Sequence, residues 1–92
     1  MREADIEKHL VKAIEAARGV ARKLKWIGRR SAPDRLIILN GQVVFVEVKA
    51  PGETPDMAQI LEHRRLREAG ALVFVIDSKA EADWLVREFS LG

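Results

Sequence analysis

The sequence of 92 residues contains no cysteine. Disulfides and thiolate metal sites are thereby excluded, and with them two common supplements to a small core. No apolar run approaches the roughly 20 residues that a membrane-spanning helix needs. The N-terminus, MREADIEKHL, is too charged for a secretory signal peptide. Also missing are a glycine-rich phosphate loop, zinc-ligand spacing, and a serine or cysteine nucleophile beside a base. No repeat, linker or low-complexity segment interrupts the chain. These absences predict one intracellular domain spanning residues 1–92, with no membrane association.

What is present fits a globular chain, with 48% hydrophobic residues. Net charge is only +2, but it is unevenly spread. From Arg18 to Arg30 there are six Lys or Arg residues and no Asp or Glu. Arg64, Arg65 and Arg67 form a second cluster. Local basic patches of this kind favour polyanions such as nucleic acid.

Periodicity predicts the order α-β-β-β-α-β-α. Ile6, Leu10, Ala13, Ile14 and Ala17 form a helical stripe over residues 3–18, with Gly19 as the stop. Residues 20–27 read as a strand with Val20, Leu24 and Trp26 on one side. After the loop GRRSAP, two strands at 34–39 and 42–49 flank Asn40-Gly41, a type I′ turn pair. Thr54 and Pro55 predict the cap and first position of a helix that ends at Gly70. ALVFVID reads as a short buried strand. Ser78 and Glu81 form a capping box for a last helix, with Ala82, Leu85, Val86 and Phe89 facing inward. The helix at 55–69 can cross over, so the last strand can lie parallel to the strand at 42–49. Strands apolar on both faces call for helices on each side of a mixed four-stranded sheet.

The hairpin carries the chemistry. With Asn40-Gly41 as the turn, Leu39 pairs with Gln42, and counting outward sets Asp34 opposite Glu47. Period-two alternation puts Lys49 on the same face. Opposed residues have Cβ atoms about 4.5–5.5 Å apart, so two carboxylates here repel. One must be protonated or a cation must sit between them. A hard divalent ion such as Mg²⁺ suits two carboxylates plus waters. Such an ion with a neighbouring lysine suits phosphodiester hydrolysis. On the first helix, Leu10 and Ile14 lie within about 20° of Glu3 around the axis, and Glu7 lies about 40° away. Glu3 is therefore predicted to project along the apolar stripe toward the core, where a metal would give it a partner. His63 shares a helix face with Gln59, which leaves two readings: a residue that approaches the site, or, the favoured one, a surface or half-buried polar histidine.

These residues resemble the PD-(D/E)XK nuclease superfamily: Pro33-Asp34 supplies the P-D and Glu47-Val48-Lys49 the E-x-K. The chain looks most like the VRR-NUC branch, with Glu3 on an N-terminal helix, SAPD at 31–34, EVK at 47–49, and Gln59 on the following helix. The resemblance implies a restriction-endonuclease-like α/β fold and a Mg²⁺- or Mn²⁺-dependent DNA endonuclease. It makes Asp34, Glu47 and the Val48 carbonyl metal ligands and Lys49 the catalytic lysine. Glu3, or Glu7 if the helix starts later, becomes the helix-borne acid. Gln59 is implied to position the lysine or water. Ser31 departs from the Gly found in many members. Stand-alone members resemble Holliday-junction resolvases, which implies branched DNA, a cytoplasmic setting in a bacterium or phage-infected cell, and a homodimer that presents two sites. The first strand or the last helix, with Trp26 and Trp84, are its candidate surfaces. Arg29, Arg30 and Arg35 flank Asp34 and are the first candidates for phosphate contact, ahead of Lys23, Lys25, Arg64 and Arg65. A module that binds nucleic acid without cutting it is the competing reading.

Overall fold

The computed structural model describes residues 1–90. Its elements are α1 (Glu3–Ala16), β1 (Val20–Lys23), β2 (Arg35–Leu39), β3 (Gln42–Val48), α2 (Met57–Glu68), β4 (Leu72–Ile76) and α3 (Lys79–Ser90). The sheet order is β1-β2-β3-β4. β1, β2 and β3 form an antiparallel meander, and α2 crosses over so that β4 runs parallel to β3. Element order and sheet topology are those the periodicity predicts.

Alternation divides the sheet into two unlike faces. Ile37, Leu39, Val44, Val46, Val48 and Ile76 point to one side, where Ile6, Leu10 and Ile14 of α1 and Ala82 and Leu85 of α3 bury against them. This is the apolar core. Phe74 joins it edge-on to Trp84 and Phe89. The other face carries Phe45 and Glu47 and is covered by α2 and by the segment after β1.

The hairpin turn has Asn40 at φ 51° and Gly41 at φ 79°, as a type I′ pair requires. Ser78 Oγ accepts from Glu81 N at 3.0 Å, and the Glu81 carboxylate reaches back to Asp77 N at 2.7 Å. The α3 start is therefore capped as predicted, one residue further out on the return bond.

Three local expectations change. β1 stops at Lys23, not residue 27. Leu24 N still donates to Asp34 O at 3.0 Å, but Trp26 is drawn off the sheet edge by a 2.7 Å bond from its indole Nε1–H to Glu62. Helix α2 is capped by Asp56, not Thr54. Asp56 Oδ1 accepts from Gln59 N at 2.8 Å, and Gln59 Oε1 accepts from Asp56 N at 3.0 Å. Pro55 then falls outside the helix. At the end of α1, Arg18 takes the left-handed position with φ 67°. Gly19 is needed for close approach instead: a Cβ there would lie 2.8 Å from Ile38 O and 2.9 Å from Ile14 Cγ2.

Candidate active site

β2 and β3 pair from Leu39 with Gln42 out to Arg35 with Val46. One step further sets Asp34 opposite Glu47. There Asp34 Oδ2 accepts from Val48 N at 2.7 Å, which fixes its carboxylate against β3. Pro33, fully buried just before it, holds the approach.

Glu47 is 2% exposed. Burial disfavours its charged form most strongly, and the adjacent Asp34 adds to this by hydrogen bond and by charge. The Glu3 carboxylate adds a further push, while the Lys49 ammonium opposes it. Together they raise the Glu47 carboxyl from 4.5 to about 8. Asp34, Glu47, Lys49 and Glu3 therefore act on one another as a group.

Helix α2 supplies the other wall. Gln59 Nε2 donates to Glu47 Oε2 at 3.4 Å, and His63 Nε2 lies 3.3 Å from Glu47 Oε1. Both Glu47 oxygens are thus gripped from the helix. His63 is only 2% exposed, which corrects the surface reading of this residue. Burial lowers its pKa first, and the charges of Arg67 and Lys49 lower it further. A neutral imidazole therefore faces Glu47.

The two helix-borne acids separate clearly. Glu7 Oε2 accepts from Arg35 Nε at 2.7 Å and from Lys23 Nζ at 3.0 Å. Burial works to raise its pKa, but these two hydrogen bonds and the cations' charges outweigh it and hold it below the usual range. Glu3 is the acid whose charge reaches Glu47. It is exposed, not directed into the core, because it opens α1 and no earlier turn covers it.

The predicted phosphate-contact cations fall into two sets. Arg35 and Lys23 are engaged with Glu7, and Arg29 and Arg65 with Glu62, at 3.0 and 3.5 Å for the latter pair. Lys25, Arg30 and Arg64 are exposed and make no ion pair among the described residues.

Glu62 was not singled out from the sequence. It is 5% exposed and receives Trp26, Arg29 and Arg65. A signal for it exists: Gln59, Glu62, His63 and Leu66 fall at i, i+3, i+4 and i+7, one helix face. Apart from Leu66 that face is polar, and it is turned inward, while Met57, Ile60 and Leu61 are exposed. Even so, among the described residues no buried side-chain nitrogen or oxygen lacks a partner.

The donor set fits a hard divalent cation. Burial and then the neighbouring Asp34 carboxylate push the Glu47 carboxyl up to about 8, and a cation placed between the two carboxylates would offset their repulsion. Among the described residues no three His, Cys, Asp or Glu side chains gather into a closed metal cage. An ion taken up by Asp34 and Glu47 would accordingly keep positions for water and phosphate oxygens, as Mg²⁺ sites commonly do.

A mixed sheet with paired carboxylates and a lysine at the end of its central hairpin, covered by helices on both faces, is the frame of a restriction-endonuclease-like nuclease. The chain is similar to a solved structure described as "VRR_NUC domain", with a TM-score of 0.86 and 38% identity, covering 95% of this chain and 96% of that one. It is 50% identical over 80 residues to "Putative nuclease p44" of Acyrthosiphon pisum secondary endosymbiont phage 1, covering 86% of each. No family model matches the chain. With these relatives, the chain belongs to the VRR_NUC nuclease domain family.

Proposed function

We propose that the protein is a Mg²⁺-dependent endonuclease, with Mn²⁺ as a substitute, that hydrolyses phosphodiester bonds in branched DNA. The observation that carries this reading is the buried Glu47 set against Asp34 and beside Lys49. A binding surface has no use for carboxylates that repel phosphate; a hydrolytic centre does.

Asp34 and Glu47 would hold the cation, with the Val48 carbonyl as a further donor and Glu3 adding negative charge from α1. When bound, the cation supplies charge to a phosphate oxygen and acidifies a water. The remaining work falls to the chain. Asp34 is fixed by Val48 N, so its carboxylate is oriented before substrate arrives. Gln59 and His63 hold the two oxygens of Glu47, which keeps it from swinging toward solvent. The Lys49 ammonium orients the attacking water or offsets charge gathering on the phosphoryl oxygens. Arg30, Lys25 and Arg64 stand free for phosphates flanking the cut, and Arg29 and Arg65 keep partly exposed guanidinium groups for the same purpose.

Cutting a four-way junction on two strands requires two such sites, so the active species in this reading is a C2 homodimer. Trp84 on α3 is 43% exposed and remains a candidate for that surface. Trp26 is committed to Glu62 and Phe45 instead. Among the described residues no helix is long and apolar enough to cross a membrane, and a DNA substrate fits work in the cytoplasm of a bacterium or infected cell.

The test is a cleavage panel of labelled four-way junction, flap, nicked and linear duplex with Mg²⁺ or Mn²⁺, beside a solution mass determination. Cleavage of branched substrates by wild type, abolished in Asp34→Asn and Lys49→Ala, is the expected result. Salt-sensitive DNA binding in EDTA without cutting under either metal would overturn the enzyme reading in favour of a binding module.

A further inference from the structure

The segment between β1 and β2, residues 24–34, delivers Asp34 to the site at its far end, but the excursion of its tip is not required by the nuclease chemistry alone. Its two ends are built into the fold, and its tip is not. Trp26 packs edge-on against Phe45, ring centroids 6.4 Å apart, and donates its indole N–H to Glu62 at 2.7 Å. Arg29 donates to the same buried carboxylate at 3.0 Å. Pro33 is fully buried. Between these anchors stands Ile27, 99% exposed, followed by Gly28 at φ 82°. A Cβ on Gly28 would meet nothing within 4 Å, so the tip stands clear of the rest of the chain.

A lone exposed aliphatic side chain is ordinary on a protein surface. Ile27 differs in what surrounds it. Lys25, Arg29 and Arg30 lie within three residues of it, and Glu62 ties the residues on either side of it to α2 from within. The loop therefore holds an apolar point between phosphate-seeking cations and has no core contact for that point to make. Apolar side chains presented in this way are wedged between base steps by DNA-bending proteins, with flanking cations on the backbone. Unstacking costs least where stacking is already broken, as at a branch.

We infer that Ile27 is a wedge that enters the base stack at a DNA branch point and sets the preference of the active site for branched over linear duplex. The inference rests on the DNA-cutting reading and deepens it. Ile27 is seven steps along the chain from Asp34, so the tip reaches no further than about 25 Å from the carboxylates. That is about seven base-pair rises along a duplex. Buried Glu62 is the positioning residue, since it holds Trp26 and Arg29 and so the tip between them.

The experiment uses the Asp34→Asn chain, unable to cut, and a four-way junction carrying 2-aminopurine at the branch point. Binding is expected to raise its fluorescence several-fold as the base unstacks. The rise is lost when Ile27→Ser is added and retained with Ile27→Leu. In the cutting-competent chain, Ile27→Ser lowers the ratio of junction to linear-duplex cleavage about tenfold, and Glu62→Gln lowers it in the same direction. An equal fluorescence rise with and without the Ile27→Ser change would overturn the wedge, whether or not the wild type cuts. A fluorescence rise that depends on Ile27 in a protein that cuts no DNA would keep the wedge and discard the nuclease reading.

Discussion

The two faces of one sheet do opposite things with burial. Against α1 and α3, every fully buried side chain of the sheet is aliphatic, and packing alone decides the fit. Against α2, the buried polar groups are Glu47, Glu62 and His63, each held by hydrogen bonds, beside the aliphatic Val73. The first face supplies the hydrophobic free energy that a 92-residue chain depends on. The second keeps two carboxylates desolvated at the cost of part of that stability. A pair of acids, one from each side of the sheet, makes the point at smaller scale. Glu7 is met by two cations and held ionised; Glu47 is met by another carboxylate and held protonated. One is a finished ion pair and the other is a position that favours added positive charge.

If the faces are divided in this way, substitutions should separate folding from chemistry. Leu10→Ala or Ile14→Ala, each emptying a fully buried position, should cost about 2–5 kcal/mol in urea unfolding. Cleavage per folded molecule should be unchanged. A matching loss of turnover in the folded fraction would mean that the faces are not independent. Conversely, Asp34→Asn or Glu47→Gln should slow cleavage by more than about 100-fold while the chain stays folded by circular dichroism.

Acid–base behaviour offers a second way to break the contrast. The folded chain keeps a proton on Glu47 up to about pH 8, whereas the unfolded chain releases it near 4.5. Between these values the native state binds more protons, so in EDTA stability falls as pH rises, by at most roughly 1.4 kcal/mol per pH unit. Glu47→Gln should flatten that slope, and Mg²⁺ at pH 8 should raise the melting temperature of wild type but not of Glu47→Gln. Metal binding at pH 7 should also release about one proton, measured by calorimetry in two buffers. Stability that climbs with pH across this window would refute the assignment of Glu47. Glu7 should act in the reverse sense: its contribution is present at neutral pH and lost only as pH falls below the ordinary carboxylate range.

The smallest expected effect concerns the loop. Ser31 sits at φ 70°, a region that costs a non-glycine residue about 1–2 kcal/mol. Ser31→Gly should therefore stabilise by about 1 kcal/mol, part of the relief being offset by chain entropy. Ser31 is thus a local strain, and loss of stability on this change would show that the Ser31 side chain contributes more than its backbone costs.

Period and turn chemistry carried most of the fold. The Asn40-Gly41 pair set the register that brings Asp34 to Glu47, and Ile6, Leu10 and Ile14 marked the buried side of α1. Where local propensity met a tertiary partner, the partner won. Trp26 looked like a strand residue until Glu62, 36 residues away, drew it off. Thr54 and Pro55 formed a plausible helix start, but Asp56 and Gln59 satisfied each other better. The inward side of α2 escaped detection because Met57, Ile60 and Leu61 face solvent while Glu62 and His63 are buried, the reverse of what amphipathicity assumes. A choice between Glu3 and Glu7 needed the positions of Lys23 and Arg35, which no spacing along the chain reveals.

Gln59 has both ends of its amide in use, the oxygen on Asp56 N and the nitrogen on Glu47. A helix beginning of this design is served equally well by glutamate, and a stability screen judging α2 in isolation would accept Gln59→Glu as neutral. Beside Glu47 that exchange removes a donor and installs a further anion. One atom's difference between amide and acid therefore links the start of a helix to the charge its neighbour can bear.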